Sequence, residues 1–354
     1  MNRSLLRSAL VVCSALLGAL GAEWVVRAAG WAPQVLKIRP GIADSAFRLS
    51  EDPILGYVLK TSYRHSSPNN IENVAYTNAH GQRDVEREYA RKPGIPRILL
   101  VGDSVVMGLG LASIDETISR RMEEHWSGKV EVLNFGVAGY CTRGQVRLIE
   151  TEGVRYDPDL VIVVFVDNDY EDANSQTSYY NYDRPAWSKR LFLASDAFRV
   201  AAIRNDWFHF RAEVDRDYAL ERHRSALGED NVRRGVELLR ELADEHGFRV
   251  LIAIWPSFQR DGILDRPGPH ELDPDTGSLR IERLARESGL ETVRLSGPFQ
   301  TDWQARQPQA GASDPERFYT RDATTDIMHP NATGARVAAG ILVELIEAHG
   351  LLAQ

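Results

Sequence analysis

The chain has 354 residues, 43% hydrophobic and 26% charged, a composition that excludes a disordered chain, a collagen-like chain and a multi-span membrane protein. Its formal net charge is −8, so it lacks the basic footprint that nucleic-acid binding needs, and no nucleic-acid partner is expected. Its two cysteines, Cys13 and Cys141, are too few for a disulfide framework or a Cys-based zinc site, though a chain of this size needs no staples even in an oxidising compartment.

Residues 1–31 form the first segment. Arg3 and Arg7 precede an apolar run from Ser8 to Ala22, which Glu23 and Arg27 interrupt beside Trp24 and Trp31. A spanning helix wants about 20 apolar residues and a secretory signal about 7–15, so the run fits an uncleaved membrane anchor or a cleaved signal ending near Ala19-Leu20-Gly21. In both cases the N-terminal positive charges stay in the cytoplasm and the rest is exported. The expected location is the cell membrane, with one N-terminal span and the remainder extracytoplasmic. The alternative is a secreted or periplasmic protein. A buried soluble helix would show a polar face, which this run lacks.

Residues 32–94 hold turn formers such as Ser66-Ser67-Pro68-Asn69-Asn70 and read as an irregular, β-poor lead-in packed on the main domain. The boundary is Arg91-Lys92-Pro93-Gly94-Ile95-Pro96. From residue 95 to 354 the pattern is regular. Arg97–Val101, Val130–Val137, Leu160–Val166, Arg249–Trp255 and Glu291–Leu295 read as buried strands. Glu116–Trp126, Arg143–Gly153, Asp230–His246, Leu279–Glu287 and Ala332–His349 read as helices between and after them. Strands alternating with helices predict an α/β domain with a parallel sheet covered on both faces. Ligands on such a sheet bind outside the carboxyl ends of the strands.

Residues 170–229 break the rhythm after the third strand. Tyr170, Tyr179, Tyr180, Tyr182, Trp187 and Trp207 lie in them. They predict either a surface helical subdomain with its own small aromatic core, or a lid or sugar-stacking wall in which Tyr170, Tyr179, Tyr180 and Trp187 touch substrate.

Four sites stand at the ends of regular units. Gly102-Asp103-Ser104 comes directly after the first strand, and its hydroxyl and backbone N–H can face one ligand. Asn134–Gly139 ends in small residues, and Gly139 lets backbone approach closely. Asp167-Asn168-Asp169 comes directly after the third strand, and the Asn168 amide can donate to an anion. In Asp326-Ile327-Met328-His329, a short loop before the last helix, the carboxylate can hold one imidazole nitrogen and leave the other as a base. Asn331 reads as the cap of that helix. Pro269–Asp275 includes His270 and several carboxylates, and reads as a solvated turn rather than a metal site.

In this order the four blocks resemble those of the SGNH (GDSL-type) hydrolase superfamily, over about residues 95–350. Thr77–Arg83 is similar to the segment that precedes the domain in membrane-anchored bacterial members. The resemblance implies a three-layer, flavodoxin-like α/β/α sandwich with about five parallel strands. It implies a serine esterase with Ser104 as nucleophile, His329 as base and Asp326 as its orienting acid, and an oxyanion hole from the Ser104 N–H, the Gly139 N–H and the Asn168 amide. Asp103 joins the candidate substrate-binding residues. No metal or organic cofactor is implied, in keeping with the absence of HExxH, paired Cys or a phosphate loop. The implied substrate is an ester, foremost O-acetyl groups on extracytoplasmic carbohydrate. Transfer of an acyl group to surface polysaccharide, or a non-catalytic carbohydrate-binding protein on the same fold, are the alternatives. One departure stands out: the family's Gly two residues before the third-block Asn is Val166 here, with the extra carboxylate of Asp167 next to it. It either adds negative potential at the oxyanion site or points away.

Overall fold

The computed structural model describes residues 3–33, 46–65, 74–170, 185–213, 223–258, 277–306, 319–322 and 326–352. Strands are β1 (Phe47–Leu49), β2 (Tyr57–Leu59), β3 (Arg97–Gly102), β4 (Glu131–Gly136), β5 (Leu160–Phe165), β6 (Arg249–Ile254), β7 (Glu291–Arg294), β8 (Thr320–Asp322) and β9 (Asp326–Pro330). Helices are α1 (Arg3–Ala29), α2 (Ser104–Met107), α3 (Ile118–His125), α4 (Thr142–Thr151), α5 (Ala186–Ala194), α6 (Asp196–Arg204), α7 (Asn231–His246), α8 (Ser278–Glu287), α9 (Ser296–Arg306) and α10 (Ala332–Ala348). Contacts divide the chain into two units, Met1–Ala43 with Thr177–Arg222, and Asp44–Gln176 with His223–Gln354.

In the larger unit five parallel strands run in the order β4-β3-β5-β6-β7, the flavodoxin-like α/β arrangement that the sequence implies. β3 and β5 are buried at every residue, which is why they read as unbroken apolar runs. Successive side chains point to opposite faces. Ile98 and Leu100 pack with Ile118 and Met122 of α3 and Leu342 of α10, whereas Leu99 and Val101 pack with Ile149 of α4, Val236 of α7 and Ile281 of α8. The sheet therefore has a helical layer on each side.

In the lead-in the short strands β1 and β2 pair antiparallel and Arg64 bridges to Tyr76; three-residue strands are too short for a periodic signal. One local expectation is corrected: the segment Asp326–Pro330 is a strand paired antiparallel with β8, not a loop. Ser296–Arg306 is helical despite Gly297 and Pro298, because Pro in a first helical turn gives up no intrahelical hydrogen bond.

In the smaller unit, Leu10–Ala29 of α1 is 20 residues with mean hydropathy 1.6, long and apolar enough to cross a membrane. Phe192 and Phe210 stack with centroids 3.9 Å apart and, with Ala202, form a small buried core.

The lead-in is tied to the sheet domain by buried cations. Arg97 is 1% exposed and donates to Glu131 and to the carbonyls of Glu88, Tyr89, Ala90 and Tyr156. Arg83, 2% exposed, donates to the carbonyls of Met107, Gly108 and Leu111 around the end of α2. Burial lowers its pKa to about 10. Replacing Arg83 with Met keeps the apolar stem and leaves these carbonyls buried without donors. The expected loss is about 2–4 kcal/mol of unfolding free energy, measured by urea denaturation. A midpoint equal to wild type would show that water replaces the guanidinium at no cost.

Candidate active site

The site starts with a sharp strand-to-helix junction. β3 ends at Gly102 and α2 begins at Ser104. Asp103 caps α2, its Oδ1 accepting from the Val105 N–H at 2.9 Å. The turn presses on the end of β4 at Gly136, where a Cβ would stand 2.0 Å from the Met107 nitrogen. Only glycine permits that approach. The buried Asn134 amide completes the junction, donating to the Val106 carbonyl at 3.0 Å and accepting from the Gly136 N–H at 2.9 Å. Ser104 is thereby held 3% exposed.

The β8–β9 hairpin carries the second part. His329 Nε2 lies 2.8 Å from Ser104 Oγ across a separation of 225 residues, and His329 Nδ1 lies 2.7 Å from Asp326 Oδ1. The His329 backbone N–H donates to the same oxygen at 3.1 Å. An acidic partner on Nδ1 favours the tautomer with its proton there, leaving Nε2 as the acceptor of the serine hydrogen. Partial burial works to raise the Asp326 pKa, but the hydrogen bonds and charge of His329, with Arg321, hold it below its ordinary value. Arg321 Nη1 is 3.3 Å from Asp326 Oδ2. The hairpin is pinned to the sheet by the Trp255 indole N–H, which donates to the Met328 carbonyl at 3.0 Å. Such a row can move a proton from a hydroxyl to an imidazole and stabilise the resulting cation.

The other nominated residues fall around this row. Gly139 has φ 78°, a left-handed conformation suited to glycine, and the preceding carbonyl, of Ala138, accepts from the Tyr57 hydroxyl at 2.8 Å. The Asn168 amide donates to Asp103 Oδ2 at 3.2 Å, which uses one of its two N–H bonds. That same Asp103 oxygen is 3.1 Å from Ser104 Oγ, so the buried Asp103 carboxylate links the residues of the first and third blocks. Asp169 folds back to accept from the Val166 N–H at 2.9 Å and the Gln145 amide at 2.8 Å. Burial, reinforced by the Asp103 charge, pushes its pKa well above the carboxylate range. The extra carboxylate of Asp167 is held by the Ser257 hydroxyl at 2.6 Å, which turns it toward the end of β6.

Tyr170 packs its ring on Phe165 at 5.0 Å and donates its hydroxyl to the Gly277 carbonyl at 2.7 Å. Trp187 belongs to the smaller unit, 57% exposed. Tyr179, Tyr180 and the Pro269–Asp275 turn lie outside the described residues. Cys141 is buried beside α4, and Asn331 caps α10 by accepting from the Gly334 N–H. Among the described residues no group of three or more His, Cys, Asp or Glu could hold a metal ion.

Sequence reasoning named Asn134 and Arg83 only as parts of motifs, with no role of their own, and passed over Trp255, Ser257 and Arg321. Arg83, Asn134, Trp255 and Ser257 act on backbone groups or on a partner distant in sequence, and Arg321 reaches Asp326 across the β8–β9 hairpin. Asn134 had a signal, since a polar residue inside a buried strand needs a partner.

The model of the GDSL-like Lipase/Acylhydrolase family matches residues 100–337. Similar solved structures include a two-domain esterase (CEX) active on acetylated mannans, at 14% identity and TM-score 0.41 over 73% of this chain and 50% of that one. The acetyl xylan esterase AlAXEase matches at 16% and 0.41 over 71% and 99% of the two chains. A carbohydrate acetylesterase family member from Sinorhizobium meliloti matches at 13% and 0.38 over 72% and 98%. The chain thus spans about half the length of the two-domain esterase, and no curated protein sequence matches it. The family match takes in more than half of the chain and contains Ser104, Asn168, Asp326 and His329, and on that ground the chain belongs to the GDSL-like lipase/acylhydrolase family.

Proposed function

We propose that the protein is a serine esterase that removes acyl groups, foremost O-acetyl groups, from carbohydrate outside the cytoplasm. The observation that carries the reading is the row Ser104 Oγ, His329 Nε2, His329 Nδ1 and Asp326 Oδ1, with contacts of 2.8 and 2.7 Å. Ser104 Oγ attacks the ester carbonyl while His329 Nε2 takes its proton. The imidazolium is stabilised by Asp326 and then returns the proton to the leaving alkoxide. Water, activated by the same imidazole, releases the acyl group from Ser104. The negative oxygen formed on attack is met by the Ser104 N–H at the start of α2, the Gly139 N–H and the second N–H of Asn168. Asp103 acts behind this set by fixing the Asn168 amide and the α2 turn. The carbohydrate assignment rests on topology: Arg3 and Arg7 precede the apolar helix, so the domain after it is exported. In this reading α1 stays in the membrane as an anchor.

Replacing Ser104 with Ala is expected to lower kcat/KM for phenyl acetate by on the order of 10⁴ or more and to abolish labelling by a fluorophosphonate probe. Equal turnover in that variant would refute the nucleophile. Wild-type protein that is folded yet unlabelled would favour a binding protein on this fold.

Arg321 supports Asp326 from a half-exposed position. Its loss raises the Asp326 pKa, so the anion that orients His329 is neutralised at a higher pH. The acid limb of the kcat/KM profile moves to higher pH in Arg321→Ala, with a fall of about two- to fivefold at neutral pH. A limb that stays in place while the rate falls would mean that Arg321 serves packing alone.

A further inference from the structure

The smaller unit carries apolar surface that its own core does not use. Outside the buried Phe192, Ala202 and Phe210, the side chains of Trp187, Leu191, Leu193, Trp207 and Phe208 are 37–57% exposed. Trp187 and Leu191 are four residues apart on α5 and share a face. The Trp187 ring meets Phe208 edge-on, with centroids 5.4 Å apart. Phe208 and His209 hold φ of 52° and 57°, a left-handed conformation that side chains other than glycine adopt at a cost.

The end of α1 lies against the corner between α5 and α6. Glu23 comes directly after the apolar run that ends at Ala22. Its carboxylate accepts from the Ser195 hydroxyl at 2.8 Å and from the backbone N–H groups of Asp196 and Ala197 at 3.1 and 3.0 Å, at the start of α6. Arg27 pairs with Glu23 at 2.7 Å and donates to the Ala194 carbonyl at 3.3 Å. The corner between α5 and α6 is therefore clamped to the last turns of α1. Glu23 and Arg27 fall in the last two turns of the Leu10–Ala29 stretch, so they approach headgroup level when that helix crosses a bilayer. α5 has nine residues, so it extends no more than about 14 Å from the clamp. Charge agrees: from Ala186 to Arg211 the chain carries Lys189, Arg190, Arg199, Arg204 and Arg211 against Asp196 and Asp206, in a protein of net charge −8. Exposed Trp, Leu and Phe among Lys and Arg is the composition of a segment that lies in the interface plane.

The geometry points to a second membrane contact in this protein. α5, α6 and the turn at Trp207-Phe208 dock on an anionic lipid surface, with Trp187, Leu191, Trp207 and Phe208 in the headgroup–acyl boundary and Lys189, Arg190 and Arg204 toward lipid phosphates. This rests on the reading of α1 as a membrane span. It gives the segment after β5 the task of holding the end of the anchor at the bilayer, in place of a lid or a sugar-stacking wall.

The test is tryptophan quenching on the full-length protein in vesicles of phosphatidylcholine with phosphatidylglycerol, prepared with and without bromine on the acyl chains. The chain has seven tryptophans, so the emission of each ring is read as the difference between wild type and Trp187→Phe or Trp207→Phe, both conservative at exposed positions. The expected result is that both rings are quenched by brominated lipid and shielded from aqueous acrylamide. A second pair of variants, Lys189→Glu and Arg190→Glu, should restore acrylamide access in anionic vesicles. Trp187 and Trp207 open to acrylamide and untouched by bromine would overturn the inference. Trp24→Phe and Trp31→Phe report α1 by the same difference: if these two rings stay unquenched, the anchor reading fails. The docking surface is then judged by Trp187 and Trp207 alone, on vesicles added to the protein.

Discussion

One turn of helix, Ser104–Met107, has no stability of its own, because a nucleus of four residues costs more conformational entropy than its hydrogen bonds return. It exists because other parts of the chain satisfy its ends. Asp103 takes the Val105 N–H at one end, Arg83 supplies donors to the Met107 and Gly108 carbonyls at the other, and Asn134 takes the Val106 carbonyl from the side. Gly136 removes the one Cβ that would block the approach. These contacts set the position of the Ser104 hydroxyl, and the hydroxyl sets the distance to His329.

The polar groups around Ser104 solve a charge problem. Asp103 and Asp169 are both fully buried carboxylates near one another. Asp169 meets this with donors from Gln145 and Val166 and with a raised pKa. Asp103 spreads its charge over the Val105 N–H and the Asn168 amide. Asp167 is drawn off by Ser257. On the opposite side Asp326 keeps its negative charge through His329 and Arg321. The carboxylate facing the imidazole is the one stabilised as an anion, which is the sense that proton transfer from Ser104 requires.

The lead-in joins the sheet domain through buried polar contacts that an apolar interface would not specify. Arg97 collects carbonyls from Glu88, Tyr89 and Ala90, Arg87 bridges Asp84 and Glu123, and Tyr57 holds the Ala138 carbonyl next to Gly139. Tyr57 and Arg83 of the lead-in therefore shape both sides of the candidate site, though neither carries a reacting group.

The sheet, its helices and the order of the motif blocks were legible in the sequence because each is a local pattern. Strands buried on both faces must be apolar throughout, as in Leu160–Phe165, and amphipathic helices repeat at a fixed spacing, as in Asn231–His246. Ser104, Asp326, His329, Gly139 and Asn168 were visible as polar or small residues where strands or helices begin and end. Short strands such as Phe47–Leu49 and a helix opening on Gly297 and Pro298 fall below the length or propensity at which a pattern registers. What only the tertiary structure decided is contact across sequence: Arg83 on α2, Trp255 on Met328, Ser257 on Asp167 and Glu23 on α6. Composition and periodicity report how each segment meets its own neighbours and water. The partner of a buried charge is chosen by the packing of the whole chain.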